Sequence, residues 1–208
     1  MFNYYFEFNE DNRDLLFVNA VLENLKYGII SLDAMFAGNI TRDFYNDRYT
    51  FYFFHMQSVL TAQGNIWNVL RNNFYEKNRN ISQARILAMR EKLGIDINNY
   101  PLVGNKKFRN TNEHFDERYF QFQNGIGDYN ILSQDTPTDI KNQILRTPHL
   151  RTIDIVNWTY ITYDEKQNQI VLNLRALRDE MYDMFFAISS NERIHLKCID
   201  NPRHKILD

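Results

Sequence analysis

The stretch from Tyr49 to Leu70, "YTFYFFHMQSVLTAQGNIWNVL", contains no Asp, Glu, Lys or Arg. A run this long needs shielding from water on several sides, by lipid or by the rest of the chain. His55, Gln57, Gln63, Asn65 and Asn68 are too many polar groups for a membrane span. The run therefore predicts a helix of about 44–75 at the centre of a bundle, buried on several sides.

The other segments support a helical architecture. From Leu15 to about Phe36, the residues Leu15, Val18, Leu22, Leu25, Ile29, Leu32 and Phe36 recur at steps of three and four, which lines one helix face. A third helix is expected over 81–93, stopped by Gly94, and "GIDINNYPLVGN" then reads as a loop. A fourth helix is expected from the start of "KKFRNTNEHFDERYF" to about Gln123, with Phe108, Phe115, Tyr119 and Phe122 as its apolar stripe. Residues 124–139 read as loop, and "TPTD" opens a short helix near 138–146.

Towards the C-terminus, "TIDIVNWTYITY", the turn "DEKQN" and "QIVLNL" predict a β-hairpin over about 152–174. A last helix over about 175–190 presents Leu177, Met181, Met184 and Phe185. The opening "FNYYFEF" is read as a short strand. Four prolines and seven glycines in 208 residues favour long helices, and no linker divides the chain. The expectation is one mainly α domain over 1–208, a bundle of four to five long helices with a small β-hairpin near the C-terminus.

Compartment and charge narrow the function classes. The start is acidic and has no basic region before an apolar run, so no signal peptide is expected. A single cysteine, Cys198, fits a reducing compartment, and the expected location is the cytoplasm. The net charge of −2 gives no global attraction to nucleic acid. Residues 71–109, however, carry nine basic and three acidic side chains inside an otherwise acidic protein. Arg71, Lys106 and Lys107 in that segment are candidate phosphate contacts. Solvated helix faces are the competing explanation of the same charges.

The chemistry-bearing residues concentrate in "RNTNEH". A histidine near its unperturbed pKa can move the 2′-hydroxyl proton of RNA, and an arginine fork can hold a phosphate and stabilise charge on it. Asn110 and His114 are four apart, so a helix places them on one face. Arg109 and His114 are five apart, about 140° around a helix axis. Either Arg109 lies in a looser first turn, or two copies complete one site across a dimer axis.

"RNTNEH" resembles the R-N-x-x-x-H motif of the HEPN superfamily, and "HFDER" is similar to uncharacterised bacterial members of it. The late hairpin followed by a helix is similar too. The resemblance implies a helical bundle and a metal-independent endoribonuclease that leaves 2′,3′-cyclic phosphate ends, with no cofactor. It also implies a homodimer, an RNA substrate, a toxin–antitoxin or phage-defence role and an antitoxin protein as partner. By position, Arg109, Asn110 and His114 take the catalytic places. The alternative it leaves is a non-catalytic module that binds a protein or nucleic acid.

Other candidates carry less. Arg48 and His55 satisfy the loosest form of the spacing, but His55 lies in an aromatic run and reads as a packing residue. The aromatics at 51–54 read as core. Glu113, His114, Asp116 and Glu117 give the reverse of a di-iron Glu-x-x-His motif, once only, so no metal site is expected. His149, in "RTPHLR", is flanked by Arg146 and Arg151 and reads as an ordinary exposed loop histidine rather than a phosphate contact, and His195 and His204 have no partner pattern.

Overall fold

The computed structural model describes residues 10–38, 48–71, 79–105, 107, 108, 110, 129–146, 151–164, 166 and 168–191. The predicted N-terminal strand and most of the predicted helix up to Gln123 lie outside them. Within them the chain is mostly helical, with a small sheet on the C-terminal side. The order is α1 Glu10–Ala37, α2 Arg48–Arg71, α3 Arg79–Leu93, a 3-10 turn Ile97–Asn99, β1 Tyr129–Leu132, α4 Thr138–Arg146, β2 Arg151–Asp154, β3 Thr159–Tyr163, β4 Gln169–Asn173 and α5 Leu174–Ser189.

α1 packs along both α2 and α5, and this sets the width of its apolar face. Val18, Leu25, Ile29 and Leu32 of the predicted stripe are buried, and Leu22 and Phe36 pack against the core. A second row, Val21, Gly28 and Met35, is buried beside it, because a helix with two neighbours needs more than one stripe. Gly28 leaves room for α5: a Cβ there would meet Met181 Sδ at 2.6 Å.

α2 is buried around most of its circumference, although Thr50, Phe54, Gln57, Thr61 and Asn65 keep one stripe exposed. The aromatic cluster at 51–54 therefore divides. Phe51 and Tyr52 are core residues, while Phe54 is 52% exposed, which corrects the expectation that all four are core. The helix ends where Arg90 of α3 donates Nε and Nη2 to the Leu70 carbonyl, at 3.0 and 2.8 Å, satisfying one of its unpaired C=O groups. Gly94 then ends α3 at φ +68°, and Asn191, just past α5, donates to the Lys92 carbonyl.

The predicted hairpin is part of a four-stranded sheet of order β1-β2-β3-β4. β2–β3 and β3–β4 are antiparallel, and β1 pairs with β2 in parallel. "TIDIVNWTYITY" is two strands, because Asp154 breaks the run. Its carboxylate accepts the backbone N–H groups of Val156 and Asn157 at 2.9 and 3.0 Å and the Asn157 amide at 2.8 Å, which closes a turn. Trp158 leaves that turn at φ 53°, in the left-handed region, with its ring edge-on to Phe36 at 4.6 Å. β1 falls in a segment read as loop from its Gly, Asn and Asp content; four residues beside a parallel partner leave little sequence signal. α4 covers Thr138–Arg146, the segment predicted for it.

α5 starts at Leu174, capped by Asn173, whose side chain accepts the Ala176 N–H at 3.0 Å. Leu177, Met181 and Met184 are buried as predicted, Phe185 is only partly buried, and Ile188 completes the stripe. No helix among the described residues is long and apolar enough to cross a membrane.

Candidate functional site

Of the predicted site residues, Lys107 and Asn110 are described together with their side chains. Residues 107, 108 and 110 are helical. Asn105 starts this segment: its Oδ1 accepts the Lys107 N–H at 3.0 Å. Phe108 is 2% exposed and anchors the segment to the core, Asn110 is half-buried and Lys107 is exposed. Arg71 is the last residue of α2, and its side chain lies outside the described residues, as do Lys106, Arg109 and His114. Hydrogen bonds from Asn168 hold the Asp164 carboxyl, in the β3–β4 turn, below its usual value, and the Lys107 charge adds the smallest share.

The loop that leads into this helical segment is gripped from two sides. Glu180 of α5 accepts the backbone N–H groups of Leu102 and Val103 on one carboxylate oxygen, at 2.8 and 3.0 Å. Gln63 of α2, fully buried, donates its side-chain amide to the Leu102 carbonyl. Burial raises the pKa of Glu180; its hydrogen bonds from Val103 and Leu102 oppose this, and Asp183 adds to it. Tyr100 is also raised, first by burial and then by Asp183 and Glu180. The carboxyls, the phenol and the loop are thus in one neighbourhood directly before Asn105.

His55 is a packing residue, as expected. Its ring is edge-on to Phe51 at 4.6 Å and to Phe54 at 5.3 Å. Its Nδ1 is buried with no hydrogen-bond partner among the described residues, and burial lowers its pKa.

A second polar site was not legible beforehand. Between the C-terminal turn of α1 and the first turns of α5 lies a cavity of about 620 Å³, lined by Asp33, Phe36, Ala37, Arg175, Arg178 and Asp179. Arg178 Nε donates to Asp33 Oδ1, and the Tyr182 hydroxyl donates to Asp33 Oδ2 at 2.9 Å. The guanidinium also stacks near Phe36 and Tyr182, 5.7 and 5.1 Å from their ring centres. The signal in the sequence is faint: one acid in the apolar run "GIISLDAMF", and an Arg–Tyr pair one turn apart.

Among the described residues, no three His, Cys, Asp or Glu side chains form a metal-binding group. Glu113, His114, Asp116 and Glu117 lie outside those residues. Comparison with protein-family models, with curated proteins and with solved structures found no match.

Proposed function

We propose that this chain is a metal-independent endoribonuclease of the HEPN type, active as a homodimer and serving in a toxin–antitoxin or phage-defence system. The observation that carries the proposal is the order Arg109-Asn110…His114, which follows directly on a capped, core-anchored helical start. The mostly helical described structure is compatible with a bundle. The basic character of 71–109 supplies local attraction for a phosphate backbone.

In the proposed reaction His114 takes the proton of the 2′-hydroxyl, and that oxygen attacks the adjacent phosphorus. The bond to the 5′-oxygen breaks and that oxygen leaves with a proton, giving a 2′,3′-cyclic phosphate and a 5′-hydroxyl end. Arg109 neutralises the phosphate as negative charge builds on it, and Asn110 orients the phosphate or the histidine. The five-residue offset between Arg109 and His114 is met by pairing two copies.

The test is cleavage of RNA by purified protein in EDTA, with the ends mapped. Cyclic phosphate ends, lost in His114→Ala and Arg109→Ala, are the expected result. An inactive parent, variants that cut as well as the parent, or activity abolished by EDTA would overturn the proposal. Expression of the parent should arrest growth, and His114→Ala should relieve the arrest.

The second reading, a non-catalytic binding module, is favoured by the α1–α5 face. It combines the 620 Å³ cavity with Phe186, which is 60% exposed and stacks on Tyr182, the hydroxyl partner of Asp33. Growth arrest unchanged by His114→Ala would move the function to that face.

A further inference from the structure

We infer that Glu180 and Gln63 are positioning residues for the helical segment that opens at Lys107 and leads into the Arg109–His114 stretch. The catalytic consequence rests on the ribonuclease proposal, whereas the coupling itself does not. The observation is that one residue, Leu102, is held at both ends of its backbone by side chains from two helices. Its N–H is bound by Glu180 of α5, and its carbonyl by Gln63 of α2. The Val103 N–H goes to the same Glu180 oxygen.

Two residues, Val103 and Gly104, separate Leu102 from Asn105, the cap of Lys107, and they leave little slack. Gly104 N–H donates to the Tyr100 carbonyl at 2.8 Å, and Asn105 N–H to the Leu102 carbonyl at 3.2 Å. Leu102 O therefore receives both the Gln63 amide and the N–H of the capping residue. The chain of contacts runs from α2 and α5 through Leu102 to Asn105, and from Asn105 Oδ1 to Lys107 N–H. Val103 and Phe108, 0% and 2% exposed, fix the two ends of this link in the core.

Neither side chain is explained by packing alone. Gln63 is fully buried in the uncharged centre of α2, where an apolar residue would avoid the desolvation of its amide. Glu180 keeps a carboxylate partly buried with Asp183 nearby, an arrangement that opposes ionisation. What both supply is a hydrogen bond to the same short loop segment. A displacement there is passed to the start of the segment that carries Asn110, and small displacements of reacting groups have large rate effects.

The experiment compares the parent protein with Glu180→Ala, Glu180→Gln and Gln63→Ala. Amide hydrogen exchange is measured over 102–110, with α1 and the sheet as internal controls, alongside RNA cleavage. Glutamine at 180 can still accept both N–H groups; alanine cannot. Faster exchange confined to 102–110 is expected in both alanine variants. On the order of tenfold or greater loss of kcat is expected with it, with KM within about twofold of the parent. Glu180→Gln is expected to return both readouts close to parental values. Parental exchange over 105–110 in the alanine variants would overturn the inference, as would a rise spread equally over α1 and the sheet. Faster exchange with unchanged kcat would overturn the positioning role. If the parent cuts no RNA, the ribonuclease proposal falls and the exchange data alone decide the coupling.

Discussion

The Arg178 guanidinium and the Asp33 carboxylate are 145 residues apart in the chain and meet at 2.5 Å across the contact between α5 and α1. Tyr182, one turn beyond Arg178, donates to the other oxygen of the same carboxylate. One acid thus ties two successive turns of the last helix to the C-terminal half of the first. The pair is only partly buried, with 36% and 38% of the two side chains exposed, so solvent screens much of its Coulomb energy.

Its contribution should therefore come as much from the tyrosine and the stacking as from the charges. Asp33→Ala is expected to destabilise the fold by about 1–2 kcal/mol, since it removes two hydrogen bonds at a half-exposed site. A double-mutant cycle with Arg178→Ala is expected to give a coupling of about 0.5–1 kcal/mol, weaker in high salt. Denaturant titrations of the four proteins measure both quantities. A coupling of zero would show that the ion pair stabilises nothing beyond what each residue does alone.

His55 sets a pH dependence of known sign. Burial lowers its pKa in the native state, so below the unfolded value of about 6.5 the unfolded chain binds more protons than the native one. The contribution of His55 to stability consequently falls as pH drops from about 6.5 through the lowered native value. His55→Phe removes the titration and the unpaired Nδ1, and keeps a ring between Phe51 and Phe54. Chemical denaturation at several pH values should show a smaller loss of stability on acidification in the variant than in the parent.

Two glycines should respond differently to alanine. At Gly94, φ is +68° and a Cβ would lie 2.6 Å from the Asn191 amide that caps α3. Gly94→Ala should cost about 1–2 kcal/mol through backbone strain and a displaced cap. Gly28 lies within α1, and its Cβ would meet the flexible end of Met181. Gly28→Ala gains about 1 kcal/mol of helix propensity and loses a similar amount to crowding, so its melting temperature should change little. Gly28→Leu cannot be absorbed this way and should destabilise by about 2 kcal/mol or more.

The elements whose signal is local were legible in the sequence. α1, α3, α4 and α5 declare themselves by apolar spacing, by Gly94 or by "TPTD", and their observed bounds lie within a few residues of those expected. What was hidden depends on distant partners. β1 is a strand because β2 lies beside it, and the turn at 155–158 exists because Asp154 folds back on its own backbone in a β-branched run. The predicted catalytic set was read from a local motif, and Asn110 is the member of it that is described. The grip on Leu102 joins residues 39 and 78 positions apart, a relation that no spacing rule reveals.

That grip carries a final expectation about acid and base. Burial raises the Glu180 pKa above 4.5, against the pull of the Val103 and Leu102 N–H groups and with added repulsion from Asp183, and its charge in turn reaches Tyr100. A carboxyl with a raised native pKa keeps its proton in the folded state after the unfolded chain has lost it. Its contribution to stability is therefore greatest in acid and declines as pH rises through the native value. Glu180→Gln retains an acceptor for both N–H groups without a charge to desolvate. It should be at least as stable as the parent at pH 7, and the difference should shrink towards pH 4. Glu180→Ala leaves both N–H groups without their partner and should be less stable than Glu180→Gln at every pH, by about 1–2 kcal/mol. Denaturant titrations across pH decide the point, and a Glu180→Gln variant that loses stability at pH 7 would show that the charge itself strengthens the grip on the loop.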